Sequence, residues 1–194
     1  LIELPTWMGD TVMTTPAIEN LLHYYSNPKI TIIGSIVSTE LMKNYQNVER
    51  VIVLNKKNID LYKTIKNLGE FDVFISFRSS LRTKLLKLYV SAKNKYQYDK
   101  KKYTKGHVVE KYNNFINDSL GINSIPVNLI LQIEKKNTYR KKKKLLGINP
   151  GASYGSAKRW YPREFAHVAC NLSSQYDIVI FGGSDEIDIA ADIE

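Results

Sequence analysis

The chain reads as an α/β protein of two doubly wound parallel-sheet units, the second only partly present. Three observations predict this. Short apolar, β-branched runs alternate with amphipathic helical stretches along the whole chain, the signature of parallel strands with helices packed on the sheet. The alternation restarts after residue 144 with a strand, a Gly-rich loop and a helix. A basic run, Arg140 with Lys141 to Lys144, separates the two series. The expected boundaries are residues 1–139 for the first unit, 140–144 for a solvated basic linker and 145–194 for the start of the second.

The elements follow in order. Strands are predicted at residues 1–4, 30–34, 50–54, 73–77, 95–98, 145–149 and 177–181. Runs such as Ile30-Thr31-Ile32-Ile33 and Ile178-Val179-Ile180 have the two-sided apolar character of buried parallel strands. Helices are predicted at 17–25, 39–44, 61–68, 81–89, 108–120 and 162–174. The last carries Phe165, Val168, Ala169 and Leu172 at i, i+3, i+4 and i+7, with Pro162 in its first turn. Pro16 predicts that the first helix either starts there, with Thr15 as its cap, or kinks there. The chain opens at Leu1 in what reads as mid-strand and stops at Glu194 inside a helix begun by Ser184 or Asp185. It is therefore expected to be a piece of a larger protein. No repeat of solenoid length is visible.

Composition narrows the function classes. Hydrophobic residues make up 43% of 194, with ten Gly and six Pro, as in an ordinary globular protein. The single cysteine, Cys170, excludes an internal disulfide and is expected as a small buried hydrophobe on its helix. No apolar run has the length of a membrane span and no signal-peptide pattern opens the chain, which favours a cytoplasmic setting. The net charge of +9 is mostly lysine. Lys93, Lys95, Lys100, Lys101, Lys102 and Lys105 are interleaved with Tyr96, Tyr98 and Tyr103, a pattern that would also suit nucleic acid. No nucleic-acid motif accompanies it, and βα alternation is a poor match to common RNA modules. Nucleic acid is therefore not expected as a partner.

Two loops carry chemistry. Asn149-Pro150-Gly151-Ala152-Ser153-Tyr154-Gly155-Ser156-Ala157-Lys158-Arg159-Trp160 leaves a strand and enters a helix. Its glycines admit close approach, its hydroxyls and N–H groups donate, and its cations neutralise, which is what a diphosphate requires. Near the start, Pro5-Thr6-Trp7-Met8-Gly9-Asp10-Thr11-Val12-Met13-Thr14-Thr15-Pro16-Ala17 makes the same crossing with a carboxylate. On the residues alone, Asp10 is either a helix cap or a general base, with Gly9 allowing a tight turn before it. Lys158 either faces solvent or meets a phosphate. Glu186, with Asp185 as competitor, is either a first-turn helix acid or an acceptor for sugar hydroxyls. Arg159 pairs with a carboxylate or turns outward.

Together these loops resemble the ADP-heptose:lipopolysaccharide heptosyltransferases of glycosyltransferase family 9, nearest the heptosyltransferase II type. The matching pieces are Gly9-Asp10 with Val12, Met13 and Pro16, then Pro150-Gly151-Ala152, Ala157-Lys158-Arg159-Trp160 and Phe181-Gly182-Gly183-Ser184-Asp185-Glu186. They occur in the family's order over nearly the whole chain. Tyr161, between Trp160 and Pro162, departs from the family's direct Trp-Pro step.

The resemblance implies a GT-B architecture of two Rossmann-like domains and an inverting transfer of heptose from ADP-heptose to the lipopolysaccharide inner core. It implies Asp10 as general base, and Lys158 with Ser153 and Ser156 on the donor diphosphate. Glu186 would take the ribose. Ser76, Arg78, Ser79 and Arg82 follow a first-domain strand, and the resemblance implies Arg78 and Arg82 as contacts to an acceptor bearing Kdo carboxylates and phosphates. The acceptor is lipid-anchored, so lysines at 100–102 and 105 are expected to draw the enzyme peripherally to the inner-membrane surface from the cytoplasmic side. No metal-ligand spacing is present and no cofactor is called for. His107 and Glu110 read as structural. The alternatives are a GT-B transferase for another nucleotide sugar, a basic nucleic-acid-binding protein and a non-catalytic Rossmann-like domain, which would have no need of Asp10.

Overall fold

The computed structural model describes residues 1–54, 63–132, 143–152 and 155–194. The chain divides into two compact units, Leu1–Lys135 and Lys136–Glu194.

The first unit is a five-stranded sheet in the order β3-β2-β1-β4-β5. Its strands are β1 (Ile2–Glu3), β2 (Ile30–Gly34), β3 (Val48–Val53), β4 (Glu70–Ser76) and β5 (Ser91–Gln97). Every pairing is parallel. The helices are α1 (Met8–Tyr24), α2 (Ile36–Met42), α3 (Leu81–Tyr89) and α4 (Val108–Leu120). Residues 63–66 are also helical, within the expected 61–68, whose first two residues lie outside the described set. Successive strand residues face opposite sides of the sheet. Ile32 and Ile75 therefore enter a core with α1 and α4, while Ile33 and Phe74 enter a second core with Leu86 of α3. Phe77, Tyr98, Tyr112 and Phe115 form an edge-to-face aromatic group in the first core, with centroids 5.0 to 5.8 Å apart.

The second unit pairs β6 (Lys144–Ile148) with β7 (Tyr176–Ile180) in parallel. Single-turn 3-10 segments, Ser156–Lys158 and Ser184–Glu186, precede α5 (Pro162–Leu172) and α6 (Ile187–Ala191). Tyr161 is the residue before α5, with Pro162 at the first helical position. The departure at Tyr161 thus still opens a helix.

Two expectations change. The first helix does not start at Pro16: α1 begins at Met8 and runs through the proline. Proline removes the N–H that would meet the Val12 carbonyl, and the Thr15 hydroxyl donates to that carbonyl instead, at 2.8 Å. Cys170 is exposed rather than buried. On α5, Phe165, Ala169 and Leu172 are the half-buried stripe, and Cys170 falls on its flank.

Candidate functional site

In the order β3-β2-β1-β4-β5 the chain direction of travel reverses between β1 and β4. Open α/β sheets hold ligands at the carboxyl ends of strands beside such a switch point. Two loops emerge there: Leu4 to Trp7 after β1, and Phe77 to Ser80 after β4.

The first loop is rigidly tied. Ser35 and Ser38, at the start of α2, donate to the carbonyls of Thr6 (2.8 Å) and Pro5. Thr11 of α1 donates to Trp7 at 3.0 Å. These bonds satisfy carbonyls that the turn would otherwise leave bare, and they fix the entry angle of α1. Asp10 is the third residue of that helix, in its first turn, where the helix dipole favours a carboxylate. It is not the cap: Trp7 holds that position without a side-chain cap bond. Among the described residues no hydrogen bond engages the Asp10 carboxylate. Gly9 is not a tight turn either. It is an ordinary helical residue with open space where a Cβ would stand, so what it provides is access beside Asp10. An open, mainly apolar groove of about 410 Å³, lined by Met8, Ile36, Val37, Leu41 and the one carboxylate of Glu40, adjoins the same helix start. Tyr112 of α4 lies under this region. Burial pushes its hydroxyl well above the usual tyrosine range, and the Asp10 charge pushes it further.

The second loop is organised by a residue that sequence reasoning missed. Glu3 is 1% exposed, at the centre of the sheet. It is the register partner of Ser76, which donates to Glu3 Oε2 at 2.6 Å. Thr83 of α3 donates to Oε1 at 3.3 Å, and Arg78 Nη1 stands 3.5 Å from the same oxygen. The Ser76 hydroxyl is thus spent inside the fold rather than offered to a ligand. Desolvation raises the Glu3 carboxyl above its ordinary range, against the opposing pull of Ser76, Arg78, Thr83 and Arg82. Arg78, one of the two arginines singled out from sequence, therefore meets this buried carboxylate, and the Arg82 charge also favours its ionised form. The signal available was a lone acid inside the run Leu-Ile-Glu-Leu.

His107 and Glu110 form a capping box on α4, with the Glu110 carboxylate accepting from the His107 amide at 2.8 Å. Their structural reading stands.

In the second unit, the loop after β6 and the loop after β7 touch. The Glu186 carboxylate accepts from the Gly183 amide at 2.9 Å. It rests directly against Gly151, where any Cβ would collide with it. Gly155 has φ of +85°, open to glycine at little cost, and it starts the 3-10 turn that presents Ser156 and Lys158 on the surface. Among the described residues Arg159 pairs with no carboxylate, and it does not turn outward. Its guanidinium donates to the Ala152 carbonyl at 3.1 Å and closes the loop on itself. Ser153 lies outside the described residues.

The profile of glycosyltransferase family 9 (heptosyltransferase) matches residues 61–193. The chain belongs to glycosyltransferase family 9. It is 40% identical over 189 residues to lipooligosaccharide heptosyltransferase 2 of Campylobacter jejuni subsp. jejuni serotype O:2, covering 93% of this chain and 58% of that protein. The serotype O:6 counterpart is 38% identical over the same length. The chain thus spans somewhat under three-fifths of these curated relatives. Among solved structures, a glycosyl transferase family 9 protein of Veillonella parvula superposes with a TM-score of 0.80 at 21% identity, over 99% of this chain and 64% of that one. ADP-heptose lps heptosyltransferase II of E. coli gives 0.76 at 19% identity, over 99% and 66%. E. coli heptosyltransferase WaaC, solved with ADP, gives 0.77 at 16%, over 99% and 70%. The α/β fold of this family-9 chain is that of the GT-B heptosyltransferases.

Within the family-9 chain, Asp10 lies in the first turn of α1 after β1, and Arg78 and Arg82 lie on the loop and helix start after the neighbouring β4. In the second unit, the structure brings Glu186 against the Gly151 turn. Ser156 and Lys158 are exposed there. No group of three or more His, Cys, Asp or Glu among the described residues is arranged to hold a metal ion. No helix among them is long and apolar enough to cross a membrane.

Proposed function

We propose that this chain carries the acceptor unit and the start of the donor unit of an inverting heptosyltransferase of the heptosyltransferase II type. It moves heptose from ADP-heptose to the lipid-anchored, Kdo-bearing inner core of lipopolysaccharide, working in the cytoplasm at the inner-membrane surface. The observation that carries the reading is the setting of Asp10: an acid with no hydrogen-bond donor engaged among the described residues, in the first turn of α1 at the sheet's switch point, with open space beside it at Gly9.

Asp10 takes the proton of the acceptor hydroxyl as its oxygen bonds to the anomeric carbon. The bond from that carbon to the diphosphate breaks with inversion, and ADP carries away the electron pair. Lys158, with Ser156 and Ser153, offsets the charge growing on the diphosphate. Glu186 receives the ribose hydroxyls, and Arg78 and Arg82 hold acceptor carboxylates or phosphates. Arg78 suits this because its head reaches the surface while Glu3 anchors its inner side.

Asp10→Asn tests the reading in the enzyme that contains this chain. The amide keeps the shape and loses the basicity, so turnover falls by roughly 10²–10⁴ while the donor KM and the melting temperature hold. Turnover equal to that of the wild type removes Asp10 from the mechanism.

A further inference from the structure

α3 displays an apolar stripe that no described residue of its own unit buries. Leu81, Leu85 and Leu88, at i, i+4 and i+7, are 77%, 48% and 72% exposed, and the adjoining Tyr89 is 54% exposed. The helix docks on the sheet through its other side, Thr83 and Leu86. Burial of α3 therefore does not depend on the leucines, and three such side chains in a row on a nine-residue surface helix mark an interaction face.

Charge says which kind. Lys84 and Lys87 of α3 meet Lys100 and Lys101, from the turn after β5, around an open cavity of about 350 Å³. One carboxylate, Asp99, shares the cavity, and it is already engaged by the Lys101 amide at 2.9 Å. None of the four lysines makes an ion pair among the described residues. A second copy of the chain would bring four like charges against four. A nucleic-acid backbone would leave the leucines without a partner. A lipid headgroup layer matches both halves: phosphates for the lysines, acyl chains for the leucines.

We propose that this face docks on an anionic lipid surface, with α3 in the plane of the interface, Leu81, Leu85 and Leu88 among the acyl-chain ends, and the four lysines at headgroup phosphates. This deepens the proposed function and rests on it in one respect. Arg82 is the second residue of α3, so a lipid-anchored acceptor would meet its binding arginines where the helix enters the interface.

The test uses the purified enzyme that contains this chain and sedimentation with vesicles of phosphatidylethanolamine and phosphatidylglycerol, beside vesicles of phosphatidylcholine alone. The chain is expected to partition at least tenfold more strongly onto the anionic vesicles, and less so as salt rises. Lys84→Gln with Lys100→Gln and Lys101→Gln is expected to lower that partitioning on the order of 10²-fold, at about a fivefold factor per charge. Leu81→Gln with Leu88→Gln is expected to lower it tenfold or more with an unchanged melting curve, because neither side chain is buried. Leucine variants that bind anionic vesicles as well as the wild type overturn the proposal. So does a concentration-dependent dimer in sedimentation velocity that the leucine changes abolish, with no binding to anionic vesicles. Vesicle binding is independent of turnover, so failure of the Asp10→Asn test leaves this result intact, and the reverse holds too.

Discussion

The Thr15 hydroxyl donates to the Val12 carbonyl at 2.8 Å, at the one position in α1 where the following proline has no N–H to give. The same oxygen accepts from the Ile130 amide at 3.1 Å, so one buried side chain mends the helix and pins a distant segment. A proline in a helix interior ordinarily breaks it. Here the neighbouring side chain supplies the missing donor, and the helix that carries Asp10 stays whole.

Thr15→Val keeps the shape and deletes both bonds. It is expected to cost about 1–3 kcal/mol in denaturant unfolding, since buried partners are left unmet, while Thr15→Ser retains most of the stability. Equal midpoints for Val and wild type would show that the helix tolerates Pro16 unaided.

Gly9→Ala separates stability from access. In open helical space, alanine is expected to stabilise the chain by about 0.4–1 kcal/mol, read from the melting curve. If substrates approach Asp10 past Gly9, the same methyl lowers kcat/KM in the enzyme containing this chain. A stabilised variant with full activity would place the approach elsewhere.

Glu3→Gln reports on pH. The raised carboxyl holds its proton to a higher pH in the fold than in the unfolded chain, so its contribution is fully present below the ordinary carboxylate value. It is lost as pH rises through the raised one. Melting curves from pH 4 to 7.5 should show the Gln variant gaining on the wild type with rising pH. A constant gap would mean that Glu3 titrates alike in both states.

Gly151→Ala should displace the Glu186 carboxylate, a movable side-chain end, with little loss of stability. If Glu186 holds the nucleotide, ADP affinity then falls about tenfold or more, the size of a lost charged hydrogen bond. The effect should not add to that of Glu186→Ala, because both changes remove one interaction. Additive losses by calorimetry would uncouple the two residues.

A strand stands at each of the seven predicted places, and β2 was the plainest, because a strand buried along its whole length leaves no polar alternation to misread. β5 begins four residues before its predicted start, at Ser91, because it is an edge strand and its opening Ser-Ala-Lys-Asn is polar. The start of α1 was hidden by Pro16, since a Thr before a proline reads equally well as a helix cap and as a donor to the carbonyl three residues back. Glu3 escaped notice for a different reason. A lone acid in an apolar strand has meaning only once Ser76 and Thr83, far along the chain, stand against it. What was legible of Asp10 and the Gly-rich loops is their place at strand-to-helix crossings, because glycines or a carboxylate between an apolar run and a helical stretch mark such a turn.

The pairing of β1 with β4 has a kinetic side. The strand at the centre of the sheet is the earliest in the chain, and it closes on Ser76 across 73 residues. β1, β2 and β3 can assemble as soon as they leave the ribosome, but they are only three of the five strands, with the Glu3 carboxylate facing an empty flank. Contacts this far apart in sequence are slow to form, because the loop entropy is lost before the contact is gained. Closure by β4 should therefore set the folding rate of the first unit, and until then its innermost strand is an unprotected edge.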